Sequence, residues 1–138
     1  SFKEYSDVII IVEHGKVIHH IGRTYFDERL LERTFCKISL AKGSRVEEAY
    51  GTQDIVERHR HRYEFNSTFL ADFEAAGMKA VGLNPDTGLV EVVEIPSHRW
   101  FVGTQYHPEY HSTAANPHPL FVQFVKEALK YRDEKSGK

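Results

Sequence analysis

The chain has 138 residues, a formal net charge of -2 with histidine neutral, and 41% hydrophobic residues. This length fits one domain with a substantial core, and the hydrophobic content excludes a disordered chain. The near-neutral charge excludes a global electrostatic field that would recruit nucleic acid or an anionic membrane.

The cysteine content and the apolar runs indicate the compartment. A single cysteine excludes an internal disulfide framework and fits a reducing environment. The longest apolar run, Val8 to Val12, is far shorter than the roughly 20 residues that a transmembrane helix needs, and no secretory segment stands at the N-terminus. We therefore expect a cytoplasmic protein with no membrane partner, although an organellar protein whose presequence had been removed would look the same.

The N-terminal part of the chain predicts a β-hairpin followed by a short helix. Val8 to Val12 is a continuous β-branched run, typical of a buried strand. Turn residues from Glu13 to Lys16 separate it from a second strand, Val17 to Ile21. Residues 27–33 predict one or two helical turns. Because the Val8 to Val12 run would be costly to leave in water, we expect it to pair with the main sheet or to dock on a partner chain.

A strand, a short helix and a polar segment follow in residues 34–65. Thr34 to Leu40 alternates as a strand does, and Ser44 is expected to cap a short helix that runs through Tyr50 and ends at Gly51. Residues 54–65 contain the run Glu57-Arg-His-Arg-His-Arg-Tyr-Glu64. The polarity of this run predicts that the segment lies outside the core.

The remaining residues predict a helix, three strands and a final helix. In order, these are a helix from Asn66 or Ser67 to Gly77, strands at residues 78–83, 89–95 and 100–105, a helix from about residue 120 to 131, and a polar tail at residues 133–138. The turn Asn84-Pro-Asp-Thr-Gly88 predicts a hairpin between the first two of these strands. Strands interleaved with helices and hairpins indicate a mixed α/β sheet.

The stretch His107-Pro-Glu109 carries the clearest chemical signal. It follows a predicted strand and places an imidazole two residues from a carboxylate. In extended backbone these two side chains point the same way, and Pro108 disfavours helical geometry at His107. Glu109 is therefore expected to accept a hydrogen bond from one ring nitrogen of His107. The other nitrogen is then left to take a proton from a nucleophile, as an oriented general base does.

Three motifs in this order resemble the amidotransferase domain of the CTP synthase family, a class I glutamine amidotransferase. They are Glu57-Arg-His-Arg-His-Arg-Tyr-Glu-Phe-Asn66, Gly103-Thr-Gln-Tyr-His-Pro-Glu-Tyr110 and Pro117-His-Pro-Leu-Phe121. Val90 to Pro96 and Trp100-Phe101 also look like that family. The resemblance implies a partial flavodoxin-like sheet with flanking helices, with residues 34–132 as the C-terminal part of the amidotransferase domain and residues 1–33 unmatched.

The resemblance also implies roles for three residues. His107 is the base that activates a cysteine nucleophile, Glu109 orients it, and Arg62 holds the glutamine substrate. A guanidinium suits the last task because it presents a fixed fork of donors to a carboxylate. No cofactor and no metal are expected, because no phosphate-cradling Gly-rich loop appears and the His–Glu pair already has a role.

The sequence departs from the family at the nucleophile. The family carries it in a G-x-C-x-G turn, whereas Cys36 stands in the strand-like segment Thr34-Phe-Cys-Lys-Ile-Ser39. A family Gly-rich stretch is replaced here by Glu28-Arg-Leu-Leu-Glu-Arg33. We therefore expect the isolated chain to be inactive. Two interpretations stay open: part of a glutaminase completed by another polypeptide, or a non-catalytic amidotransferase-like module in a larger assembly.

Other interpretations of the same residues carry less weight. The basic run Arg58 to Arg62 is flanked by glutamates, so nucleic-acid contact is expected only within a ribonucleoprotein. His107, Glu109 and His111 would share one side of an extended segment and form a metal site, but a catalytic pair explains the first two better. The aromatic residues Trp100, Phe101, Phe121 and Phe124 are expected in the core, and His118 is expected to shape the entry to the last helix.

Overall fold

The computed structural model describes residues 11–13, 16–19, 35–61 and 63–137. Its strands are β1 (Ile11–Glu13), β2 (Lys16–His19), β3 (Phe35–Leu40), β4 (Asp54–Arg58), β5 (Lys79–Leu83), β6 (Val90–Glu94) and β7 (Val102–Thr104). Its α-helices are α1 (Arg45–Tyr50), α2 (Leu70–Ala75) and α3 (Pro119–Ser136). The described residues also include two 3₁₀ turns, Ser67–Phe69 and Pro108–His111, and we name the second the site turn.

The main sheet has five strands in the order β4-β3-β5-β6-β7. Every pair in it is antiparallel. Beyond β7, the backbone N–H of His107 donates to the carbonyl of Arg58 at 3.2 Å, so the chain curls back to the end of β4. The predicted α/β class, with helices flanking a sheet, is confirmed.

The N-terminal hairpin is confirmed where it is described. β1 and β2 pair antiparallel, with Val12 opposite Val17 and Glu13 opposite Lys16. They form a separate two-stranded sheet and do not join the five-stranded one. The rest of the Val8 to Val12 run and the helix predicted at residues 27–33 lie outside the described residues.

Two apolar clusters hold the main sheet and its helices together. The first contains Ile38, Leu40, Val46, Ile55, Val81, Val92, Tyr106 and Leu120, and the second contains Phe65, Met78, Val90 and Val93. Val92 and Val93 belong to different clusters because successive strand residues point to opposite faces. β5 approaches β6 closely at Gly82, where a Cβ atom would lie 2.6 Å from Cγ2 of Val92. Position 82 therefore requires a glycine.

The predicted helix caps are confirmed at α1. The Ser44 hydroxyl accepts from the N–H of Glu47 at 3.1 Å, and Gly51 ends the helix with φ of 71°. A second anchor comes from β6, since Oε1 of the buried Glu94 accepts from the N–H of Val46 at 2.8 Å. These bonds satisfy donors that a helix start leaves without intrahelical partners.

Two predictions about polar segments are wrong. Residues 54–58 form β4, and Glu57 is buried. Hydrogen bonds from Tyr50 and His118 compensate for the lost hydration of the Glu57 carboxylate. α3 continues through Ser136, so most of the predicted polar tail is helical, ended by Gly137 with φ of 66°. Within the described ranges, none of the helices combines the length and apolarity that crossing a membrane requires.

Candidate functional site

The site turn places the predicted imidazole and carboxylate together. His107, just past the end of β7, is extended with φ of -106° and ψ of 92°, and Pro108 begins the 3₁₀ turn. Nδ1 of His107 lies 2.7 Å from Oε1 of Glu109. The predicted contact is confirmed, but the prediction of an extended backbone through Glu109 is wrong. Proline favours the first position of a helical turn, so the chain turns at Pro108, and Glu109 reaches Nδ1 at the edge of the imidazole ring.

The hydrogen bond fixes the tautomer of the neutral imidazole ring. An ionised carboxylate only accepts, so Nδ1 of His107 is the donor, and in the neutral ring Nε2 then keeps a lone pair. Burial would raise the pKa of Glu109, but the hydrogen bonds from His107 and from its own backbone N–H lower that pKa below its usual value. Glu109 is thus ionised at neutral pH, and Nε2 of the partly exposed His107 is available as a base.

A buried carboxylate, Glu57, forms a second and deeper cluster. Its Oε1 accepts from the Tyr50 hydroxyl at 2.7 Å and from Nε2 of His118 at 2.8 Å. Nδ1 of His118 accepts from the N–H of Leu120 at 3.2 Å, so the ring proton is on Nε2 and points to Glu57. The Tyr106 hydroxyl lies 3.0 Å from that of Tyr50 and is the donor, because the one proton of the Tyr50 hydroxyl is already donated to Glu57. His118 therefore caps α3, as the sequence predicts, and also joins it to β4.

The charges within this cluster are set by burial and by its hydrogen bonds. Burial alone would raise the pKa of Glu57, but the hydrogen bonds from His118 and Tyr50 lower that pKa below its usual value. Burial, together with Tyr106 and Glu57, raises the pKa of Tyr50 far above its usual value. Burial likewise raises the pKa of Tyr106. The result is one carboxylate that accepts from neutral donors.

A third imidazole–carboxylate pair joins the residue that follows β4 to β6. Nε2 of His59 lies 2.7 Å from Oε2 of Glu91, and both side chains are buried. The other ring nitrogen of His59 is 3.2 Å from the carbonyl oxygen of Glu57. Burial, followed by the charge of Glu91, raises the pKa of Glu64. The polar run from Glu57 to Glu64 is thus partly interior, because its buried members pair with each other or with β6.

The remaining predicted site residues have different outcomes. Arg62 lies outside the described residues, so its role stays a prediction. Cys36 is the second residue of β3, where its Cα partner on β4 is Glu57. It is partly buried and its neighbours in the strand are Phe35 and Lys37, which is not the glycine-flanked turn of a nucleophile.

The arrangement gives no support to a metal at the site turn. Because the backbone is 3₁₀ rather than extended, His111 turns away from Glu109, and its Nδ1 lies 2.9 Å from Oε2 of Glu57. In the part of the chain that the structure describes, no group of three His, Cys, Asp or Glu side chains is placed to hold a metal ion.

The described residues of the basic run, 58–61, do not form one continuous charged surface. His59 is buried, and the Arg58 guanidinium carbon lies 4.9 Å from the centroid of the Tyr110 ring, as in a cation–π contact. The core prediction is confirmed for Trp100 and Phe101, which pack on the two clusters. It is wrong for two residues of α3, Phe121 and Phe124, because they belong to a face that no described element covers.

Sequence reasoning missed the cluster around Glu57. One signal was present in the sequence. Glu57 and His59 follow Ile55 at intervals of two residues, so on a strand they lie on the same face as this apolar side chain. Polar residues at inward positions of a strand indicate a buried network. The identity of the partners, Tyr50 and His118, is not contained in that spacing.

Comparisons with known proteins agree with this geometry. The sequence model of the family described as Glutamine amidotransferase class-I matches residues 12–127. That match includes residues 12–33, which the motifs alone left outside the resemblance. The chain is 53% identical over 124 residues to CTP synthase from Bacteroides thetaiotaomicron, covering 90% of this chain and 22% of the relative. It is 60% identical over 94 residues to CTP synthase from Porphyromonas gingivalis, covering 68% of this chain and 17% of the relative.

A solved structure with the same fold is the glutaminase domain of Trypanosoma brucei CTPS with bound acivicin. It matches with a TM-score of 0.66 and 36% sequence identity, covering 70% of this chain and 39% of that one. The chain spans about a fifth of the length of the curated relatives named above.

Proposed function

The chain belongs to the class I glutamine amidotransferase family, and we propose that it is the C-terminal part of the glutaminase domain of a CTP-synthase-type enzyme. Such an enzyme releases ammonia from glutamine and uses it to convert UTP to CTP. The observation that carries the proposal is the 2.7 Å contact between Nδ1 of His107 and Oε1 of Glu109. It orients an accessible imidazole as a base, and the identity to CTP synthases supports the substrate. The cytoplasm is the proposed location.

In the proposed reaction, His107 moves protons between a thiol, glutamine and water. Nε2 takes the thiol proton as the sulfur bonds to the carboxamide carbon. The C–N bond then breaks while His107 returns the proton to the leaving nitrogen, which departs as ammonia. Water attacks the resulting thioester with His107 again as base, which gives glutamate and restores the thiol. Glu109 holds the ring and stabilises its protonated form.

Two further parts of the site are proposed from the family resemblance. Arg62 binds a carboxylate of glutamine through its guanidinium. The thiol belongs to a G-x-C-x-G turn outside these 138 residues, because Cys36, the single cysteine, is a residue of strand β3. The isolated chain is accordingly inactive.

We propose that the remainder of the amidotransferase domain packs against α3, on this or another polypeptide. One face of α3 exposes five large apolar or aromatic residues, Phe121, Phe124, Val125, Leu129 and Tyr131. A contiguous apolar face of this kind usually marks an interaction surface. The matched glutaminase domain supplies a candidate occupant, since this chain covers only 39% of it.

A second candidate function is a non-catalytic amidotransferase-like module. The strand position of Cys36, the chain's single cysteine, favours it. In that case the interactions of the buried cluster and the α3 face would be retained for assembly. The His107–Glu109 pair would then be a remnant without a nucleophile to activate.

Ammonia release from glutamine distinguishes the two functions. The purified chain is assayed alone and with a CTP synthase segment that carries the G-x-C-x-G turn. The glutaminase proposal predicts no turnover alone and turnover of at least about one per second on addition of the segment, in the usual enzymatic range. His107→Ala should abolish this turnover and Cys36→Ala should not. Turnover by the chain alone that Cys36→Ala removes would place the nucleophile at Cys36, and no turnover in either case would favour the module.

A further inference from the structure

Three contacts attach the site turn to the end of β4. At its start, the N–H of His107 donates to the carbonyl of Arg58 at 3.2 Å. In its middle, the Tyr110 ring lies under the Arg58 guanidinium at 4.9 Å and stacks on the His107 ring at 5.0 Å. At its end, Nδ1 of His111 lies 2.9 Å from Oε2 of Glu57. The turn that carries Glu109 is therefore held along its whole length by two consecutive residues of β4.

Glu57 is fixed independently of the turn. Its Oε1 is held by the Tyr50 hydroxyl from α1 and by Nε2 of His118 at the start of α3. Its Oε2 is buried, and the His111 ring approaches it closely without the alignment of a linear hydrogen bond. Because two donors from different elements hold Oε1, rotation of the carboxylate is restricted, and Oε2 presents its negative charge to His111.

From this arrangement we infer that Glu57 is a positioning residue for the His107–Glu109 pair and acts through His111. The inference rests on the proposed function, since it assigns a task to Glu57 within that site. A fixed carboxylate beneath the last residue of the turn limits how far Glu109 moves relative to the His107 ring. Small displacements matter, because misplacement of a catalytic group by about 1 Å costs on the order of 100-fold in rate.

The competing account is that Glu57 only stabilises the fold. In that account, loss of the His111 contact would either have no effect or loosen the whole sheet equally. In the positioning account, the loss loosens the site turn and leaves β5 and β6 as they are. The two accounts thus differ in where the structure opens, which amide hydrogen exchange measures residue by residue.

The first test compares hydrogen exchange in the unaltered chain and in His111→Ala. His111 is partly exposed, so the variant is expected to fold. The amides of Tyr110 and Ser112, which bond within the turn, should exchange about tenfold faster, the change expected on losing roughly 1.4 kcal/mol of local stability. The amides of β5 and β6 should keep their rates. Unchanged turn amides, or equal acceleration everywhere, would overturn the inference.

A rescue variant separates the Glu57 contact from the stacking of His111 on Phe35, whose ring centroids are 6.0 Å apart. His111→Asn removes the stacking but keeps an N–H donor for Oε2 of Glu57. The amides of Tyr110 and Ser112 should exchange in this variant at the rates of the unaltered chain. Rates as fast as those of His111→Ala would instead assign the loss of protection to the missing stacking on Phe35. Asp54→Asn, at an exposed carboxylate on the same strand, is the matched control and should change neither rate.

A kinetic test uses the chain together with the segment that carries the nucleophile. His111→Ala should lower kcat for ammonia release about 10-fold to 100-fold and leave KM for glutamine unchanged, because the buried Glu57 acts on the turn and not on the substrate in this inference. An unchanged kcat, or a rise in KM alone, would contradict the inference. If the unaltered pair of polypeptides releases no ammonia, the proposed function fails, while the exchange experiment still decides whether Glu57 positions the turn.

Discussion

The site turn and the buried cluster use the same chemistry in opposite surroundings. Each contains an imidazole nitrogen near a carboxylate oxygen, at 2.7 Å for His107–Glu109 and 2.8 Å for His118–Glu57. The side chains of the first pair are 33% and 56% exposed, and those of the second are 2% and 3% exposed. Residue types and distances therefore do not separate a site from a structural pair. Exposure does, because only the first pair can meet a substrate.

The energetics of the two pairs differ for the same reason. An exposed contact between an imidazole and a carboxylate contributes only about 0–1 kcal/mol to stability, since water competes for both groups and screens any charge. A buried pair has lost its hydration, so removal of one partner leaves an uncompensated group and costs about 3–5 kcal/mol. We therefore expect variants of the site turn to change the rate of the reaction and variants of the cluster to change the stability of the fold.

The largest expected effect is on catalysis by His107→Ala. In the chain supplied with the nucleophile segment, kcat for ammonia release should fall about 10³-fold or more, because the variant removes the base. The free energy of unfolding of the chain should change by less than about 1 kcal/mol. His98→Ala, at an exposed histidine between β6 and β7, should keep kcat within about twofold. A rate that survives His107→Ala would mean that another group acts as the base.

The next effect is on stability, from Glu57→Ala. This variant leaves the Tyr50 hydroxyl and Nε2 of His118 buried without their acceptor, and should lower the free energy of unfolding by about 3–5 kcal/mol. Urea denaturation measures it. Asp54→Ala, on the same strand but exposed, is the control and should cost less than about 1 kcal/mol. Equal losses in the two variants would show that burial does not distinguish the carboxylates of β4.

A pH series sharpens the comparison. The folded-state pKa of Glu57 is lowered, so its stabilisation is fully present above the unfolded pKa of about 4.3 and is lost as pH falls through the folded value. The pKa of Tyr50 is raised, so its contribution is fully present below the unfolded pKa of about 10 and is lost as pH rises beyond it. Urea denaturation from pH 3 to 7 should therefore give a flatter acid limb for Glu57→Gln. The same measurement from pH 9 upward should give a flatter alkaline limb for Tyr50→Phe. Acid limbs of equal slope in Glu57→Gln and the unaltered chain would contradict this assignment.

Sequence reasoning predicted what is local and missed what is distant. The spacing of His107 and Glu109 and the turn before Gly88 act over a few residues, and both predictions are confirmed. The burial of Glu57 depends on His118, which is 61 positions away in the sequence. Before the fold is known, the polar run that begins at Glu57 has no visible partner, so its interior position could not be predicted from its polarity.

The two ends of α3 illustrate the same limit. His118 was predicted to shape the start of the helix, because the proline on each side restricts its backbone, and this is confirmed. The continuation to Ser136 was not predicted, because residues 133–138 are polar. It is favoured by pairs along and beyond the helix, such as Lys130 with Glu127 at 2.6 Å and Arg99 with Glu134. The polarity of these residues indicates that they are exposed, but it does not exclude a helix, because paired charges stabilise an exposed helix.

The smallest expected effect is that of Glu109→Gln on stability. The variant removes one charge of the exposed pair but keeps an oxygen that accepts from Nδ1 of His107, so the free energy of unfolding should fall by no more than about 1 kcal/mol at neutral pH. Raising the salt concentration should reduce even that difference, because an exposed pair is screened over about 10 Å at 0.1 M ionic strength. Urea denaturation at low and high salt measures both values. A loss above about 2 kcal/mol, insensitive to salt, would make His107–Glu109 a structural pair like His118–Glu57. Exposure would then no longer separate the two regions, and the assignment of the site to the turn would lose its physical basis.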